Sequence, residues 1–145
     1  MTDKPTALDL PMAKPLPEPT QKYFDTCKEK LGIVPNVLQA YAFDIDKLNT
    51  FTAFYNDVML AKSGLSKLER EMIAVVVSSI NRCFYCMTAH GAAVRELSGD
   101  PIFGEKLVMN YRTASLNQRH KAMLDFAALM TETSHQIEEL DRNKL

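Results

Sequence analysis

The chain has 145 residues, 46% of them apolar and 24% charged, with a formal net charge of −1. That length buries a core without disulfide staples, and the near-neutral balance gives no electrostatic support for nucleic acid or an anionic membrane as partner. Five glycines, eight methionines and no tryptophan, among many Ala, Leu, Lys and Glu, favour helices over strands.

Met1–Pro5 has no basic start followed by an apolar core, so no signal peptide is expected. The longest apolar run, Met72 to Val77, is far too short to span a bilayer. A cytoplasmic location follows. Five of the seven prolines (Pro5, Pro11, Pro15, Pro17 and Pro19) fall within residues 1–19, which predicts an extended arm carrying Leu8, Leu10, Met12 and Leu16. Such an arm can lie across its own domain or a neighbouring subunit. Residues 20–145 read as one helical domain.

Thr20 is the expected N-cap of a helix to Leu31, stopped by Gly32, with Tyr23, Phe24, Cys27 and Leu31 as its buried stripe. Cys27 reads there as a small apolar residue. After Ile33-Val34-Pro35, Asn36 caps a short helix through Tyr41. Asp44 or Asp46 then starts a longer one to about Ala61, with Leu48, Phe51, Phe54, Tyr55, Val58 and Met59 as the apolar set, and Ser63-Gly64 breaks it.

Ser66-x-x-Glu69 is a capping box opening a central helix from Lys67 to Ile80. Its run Met72 to Val77 could also be a buried strand, but the cap and the length favour a helix buried nearly all round. Lys67 and Arg70 read as solvated first-turn charges. Asn81-Arg82 makes a turn, and the next helix runs from about Cys83 to Leu97, ended by Ser98-Gly99. Asp100-Pro101 opens a helix to about Tyr111, carrying Ile102, Phe103, Leu107 and Val108. Asn117 opens another to about Thr131, with Met123, Leu124, Phe126, Ala127 and Met130. Ser134 caps a last piece through Leu140. No strand-period segment, long repeat or glycine-rich phosphate loop is present. The fold class is all-α, a compact helical bundle.

The chemistry concentrates in Cys83-Phe84-Tyr85-Cys86-Met87-Thr88-Ala89-His90. On a helix, Cys83, Cys86, Met87, His90, Val94 and Leu97 recur at spacings of three and four, which turns both thiols and the imidazole to one face. Cys83 sits where unpaired N–H groups stabilise a thiolate, and Cys86 is one turn before an imidazole able to take its proton. In a cytoplasmic chain, Cys-x-x-Cys is more often redox-active or metal-binding than structural. Zinc would use Cys83, Cys86 and His90 but lacks a fourth ligand nearby, since His120 and His135 sit in unrelated, exposed patterns. On the preceding helix Glu71 shares a face with Leu68, Val75 and Ser78. If the two helices fold back about Asn81, it lies opposite His90, where it can orient the ring and relay protons. Pairing of Glu71 with Arg82 or Arg95 for structure is the competing reading.

The stretch Leu65 to Val77, then Asn81-Arg82-Cys83-Phe84-Tyr85-Cys86 and His90, resembles the alkylhydroperoxidase D-like, carboxymuconolactone decarboxylase superfamily, in its peroxidase-related branch. Looser similarity runs from about Pro15 onward. The resemblance implies a thiol peroxidase that reduces organic hydroperoxides and cycles through a Cys83–Cys86 disulfide. Cys86 would attack the peroxide, Cys83 would resolve the sulfenic acid, and Glu71 and His90 would relay protons. It further implies no bound cofactor or metal, an external thiol or dithiol reductant, a small-molecule substrate and a homo-oligomer, with neither nucleic acid nor membrane as partner. Lactone decarboxylation is the alternative within the superfamily, and it does not require two cysteines. A non-catalytic redox-sensing or zinc-binding module is the other. In one departure, the family's best-studied peroxidases carry a histidine immediately before the second cysteine, where this sequence has Tyr85. In another, the family's helical sequence continues past the point matching Leu145, which implies a core closed by other subunits or by helices beyond it.

Overall fold

Every regular element among the described residues, 6–145 of a computed structural model, is helical. The strand alternative for Met72 to Val77 is thereby excluded. The expected lack of a signal peptide in Met1–Pro5 concerns residues outside the described ones. Two compact units are present, one ending at Ala61 and the other starting at Lys62.

In the first unit, residues 6–17 contain no helix, and Ala13 donates its N–H to the Ala42 carbonyl at 2.8 Å. Met12 and Leu16 of this segment pack on a core of Phe24, Cys27, Val34, Leu38, Ala42 and Leu48. The core is built by α1 (Glu18–Leu31), α2 (Asn36–Tyr41) and α3 (Ile45–Leu60). Helix α1 starts two residues before the expected Thr20. Pro17 is its N-cap, and a second proline, Pro19, fits in the first turn, where no N–H is needed. Thr20 is buried instead of capping. The α1 stripe is narrower than the periodicity implies: Phe24 and Cys27 are buried, whereas Tyr23 and Leu31 are exposed. Asn36 is the first residue of α2, capped by Pro35 without a side-chain bond. Asp44 caps α3 by accepting from the N–H groups of Asp46 and Lys47. Of the α3 apolar set only Leu48 is buried, while Phe54 and Val58 face solvent.

The second unit contains α4 (Lys67–Ile80), α5 (Phe84–Ser98), α6 (Pro101–Asn110), a 3-10 turn at Tyr111–Thr113 and α7 (Gln118–Thr133). A second 3-10 turn (Ser134–Gln136) and a short α8 (Glu139–Arg142) stand where one capped helix was expected, and Ser134 makes no cap. Helix α4 packs against α5, α6 and α7, so its apolar run becomes the centre of the core. Met72, Val75 and Val76 meet Val94, Leu107, Tyr111, Met123, Leu124 and Ala128. Leu97, expected on the inward stripe of α5, is exposed.

Two features hold this unit's helices in register. The first is at the start of α4, where Ser66 and Glu69 exchange bonds of 3.1 and 2.8 Å in the expected capping box. The same carboxylate accepts from Arg119 Nε of α7 at 2.9 Å and lies 3.6 Å from His120 Nε2. The Ser66 N–H first, and the Arg119 guanidinium second, hold the Glu69 carboxyl down at about 2. His120 is therefore half-buried against an acid rather than freely exposed. Arg70, expected in solvent, is buried and donates to the Leu65 carbonyl at 3.2 Å. The second feature is the α5–α6 contact. A Cβ on Gly91 would lie 2.9 Å from Val108 Cγ2, and one on Gly104 would lie 2.5 Å from Arg95 Cγ. Side chains at either position would drive these helices apart.

Candidate functional site

The site begins at the C-terminal end of α4. The Arg82 N–H donates to Ser79 O and the Cys83 N–H to Ser78 O, each at 3.0 Å. These paired bonds form a Schellman ending, with Arg82 in the left-handed conformation at φ 53°. Cys83 thus closes α4 and also serves as N-cap of α5, where its sulfur accepts the Cys86 N–H at 3.4 Å. A sulfur so placed meets the unpaired N–H groups and positive dipole end of the helix, which favour a thiolate. The two sulfurs are within bonding distance as a Cys83–Cys86 disulfide, with Cα atoms 5.3 Å apart. That separation lies inside the usual range for a disulfide. Both residues are half-buried, and Phe84 between them is 80% exposed.

Because α4 and α5 fold back about Asn81, Glu71 comes opposite His90, and its Oε2 lies 2.7 Å from His90 Nδ1. Both side chains are largely covered. The competing structural pairing is not formed with Arg95, whose guanidinium bonds Glu105 of α6 at 2.8 Å. With Nδ1 engaged by the carboxylate, Nε2 of His90 is left as the ring's other exchangeable position. Cys86 precedes His90 by one helical turn on the same face. Tyr85 is half-buried, and its hydroxyl makes no hydrogen bond among the described residues.

Cys27 is a buried free thiol in the first unit, and burial pushes its pKa up. His135 is exposed on the turn after α7. Among the described residues no group of three or more His, Cys, Asp and Glu side chains is arranged to hold a metal ion. The sequence places Arg82 in the turn but does not signal its positive φ. A left-handed residue at a helix end is normally signalled by glycine or asparagine, and neither stands there.

The described residues thus combine an all-helical architecture with a dithiol at one helix start and a carboxylate–imidazole pair one turn further on. The carboxymuconolactone decarboxylase family model matches residues 46–101. A crystal structure of an uncharacterized peroxidase-related protein from Silicibacter sp. TM1040 is 72% identical, with a TM-score of 0.92 over 97% of this chain and 73% of that one. A second, described as an alkylhydroperoxidase AhpD core and an uncharacterized peroxidase-related protein from Ralstonia eutropha JMP134, is 36% identical. Its TM-score is 0.86 over 95% of this chain and 73% of that one. No curated protein matches the chain. The chain belongs to the carboxymuconolactone decarboxylase family and has the alkylhydroperoxidase D-like fold. No described helix is long and apolar enough to cross a membrane.

Proposed function

We propose that this protein is a thiol-dependent peroxidase that reduces organic hydroperoxides through Cys83 and Cys86. The observation that carries the reading is the pair of sulfurs within disulfide reach at the start of α5, beside the Glu71–His90 hydrogen bond. The Cys86 thiolate attacks the peroxide oxygen of ROOH. The O–O bond breaks, Cys86 becomes the sulfenic acid, and the departing alkoxide takes a proton to give ROH. The Cys83 thiolate then attacks the Cys86 sulfur. A disulfide forms and the hydroxyl leaves, protonated, as water. The amide N–H already on the Cys83 sulfur supports it as the resolving thiolate. His90, steadied by Glu71, accepts the Cys86 proton and returns it to the leaving oxygen. An external thiol or dithiol restores the reduced pair.

Phe84 supplies apolar surface at the sulfurs, which supports an organic over an inorganic peroxide. The names of the two crystallised relatives support the same class. The family's own name carries a second reading, lactone decarboxylation, which leaves the dithiol without a role. Exposed Ile102 and Met109 support assembly of several copies, and a light-scattering mass equal to one chain would contradict that.

The test is a count of free thiols before and after one equivalent of cumene hydroperoxide. The parent is expected to lose two, and Cys86→Ser none. Unchanged thiols in the parent, with turnover of a lactone, would replace the peroxidase by the decarboxylase.

A further inference from the structure

Three helix ends bear on how the disulfide is re-reduced. Helices α1 and α5 end in left-handed Gly32 and Gly99, at φ 75° and 66°. The end of α4 needs the same backbone conformation and uses Arg82 at φ 53°, the one non-glycine residue with positive φ among the described residues. Glycine would take this conformation without the Cβ clash that any other L-residue meets. Among the described residues no side-chain hydrogen bond or ion pair offsets that cost. Arg82 is exposed, and its guanidinium has no ion-pair or hydrogen-bond partner among the described residues. An unpaired positive charge therefore stands one residue from Cys83, on a Cα about 3.8 Å from the cysteine's. Its reach is outward, toward whatever approaches the disulfide from solvent.

We propose that Arg82 is the specificity-determining residue for the thiol that re-reduces Cys83–Cys86, and that it selects a small thiol bearing a carboxylate. The proposal rests on the reading that this disulfide turns over. In the step concerned, the incoming thiolate attacks one sulfur of the pair and forms a mixed disulfide. The Cys83–Cys86 bond breaks, and the released sulfur leaves as a thiolate that takes a proton. A second thiolate attacks the incoming thiol's sulfur in the mixed disulfide and frees the remaining cysteine. Two thiols are oxidised to one disulfide and both cysteines are reduced. Arg82 acts on the approach. A unit charge about 6 Å from a reagent's own charge in water changes that reagent's rate by about threefold, in opposite directions for anions and cations.

The experiment starts from oxidised protein and omits peroxide. Second-order rates of disulfide reduction are measured with 3-mercaptopropionate, 2-mercaptoethanol and cysteamine, for the parent, Arg82→Gly, Arg82→Lys and Arg82→Glu. Glycine suits the left-handed turn, so Arg82→Gly keeps the fold. The mercaptopropionate-to-cysteamine rate ratio is expected to fall about tenfold in Arg82→Gly at low ionic strength. It should return in Arg82→Lys and fall further in Arg82→Glu, with the differences shrinking at about 1 M salt. An unchanged ratio in Arg82→Gly, or an equal slowing of all three thiols, would overturn the proposal. The two readings fail separately. A dithiol that hydroperoxide does not oxidise sinks the peroxidase and leaves this selectivity standing, while an unchanged ratio does the reverse.

Discussion

Glu71 and His90 are the pair on which the proposed proton traffic depends. The 2.7 Å contact fixes the ring through Nδ1, and in the proposed relay the carboxylate stands behind the ring as Cys86 gives up its proton. Glu71→Gln keeps the shape and a hydrogen-bonding oxygen but removes the charge. It is expected to lower kcat/KM for a hydroperoxide by about 100-fold, the usual order for lost acid–base assistance, while the thermal midpoint changes little. A parent-like kcat/KM would remove the relay from the mechanism. This pair was legible in the sequence, because both residues lie about ten positions from the turn at Asn81 and both fall on inward faces. The left-handed backbone of Arg82 was not legible, since it runs against the preference that identifies such positions. Arg70 and His120 were misread for another reason: their neighbours come from a loop and from a helix about fifty residues away in sequence.

At the scale of elements, local chemistry placed the starts of α3, α4, α6 and α7, and tertiary packing decided which faces are covered. Ser66, Asp44, Asp100 and Asn117 all cap as their side-chain oxygens predict. Burial was harder to read. Tyr23, Leu31, Phe54, Val58 and Leu97 carry the right periodicity but are exposed, since a period names an apolar face without naming a neighbour to cover it. The close α5–α6 approach was likewise silent in the sequence. Gly91→Ala would gain about 1 kcal/mol in helix propensity. Forcing a methyl against Val108 costs about 1–3 kcal/mol. The net expectation is a loss of about 1 kcal/mol, seen as a thermal midpoint lowered by a few degrees. A raised midpoint would show that α5 and α6 are not held this closely.

The Glu69 clasp between α4 and α7 gives a pH dependence. Its carboxyl titrates near 2 in the fold, against 4.5 when unperturbed, so the folded state prefers the charged form. The resulting stability is fully present above about pH 4.5 and is lost as the pH falls through 2. Urea unfolding between about pH 5 and 2 should therefore weaken more steeply in the parent than in Glu69→Gln. Equal slopes would mean that the Ser66–Glu69–Arg119 bonds do not persist in solution.

For the whole molecule, family membership and the helical architecture stand on the residues and on the solved relatives together, whereas turnover stands on one site. The chain retains the dithiol and the Glu71–His90 pair but has Tyr85 next to Cys86, so the decisive question is whether Cys86 itself attacks a peroxide. Cys83→Ser removes the resolving sulfur and should leave the sulfenic acid stranded. After one equivalent of cumene hydroperoxide and a sulfenic-acid trap such as dimedone, peptide mass spectrometry is expected to find the adduct on Cys86. An unmodified Cys86 under conditions that oxidise the parent would contradict the account.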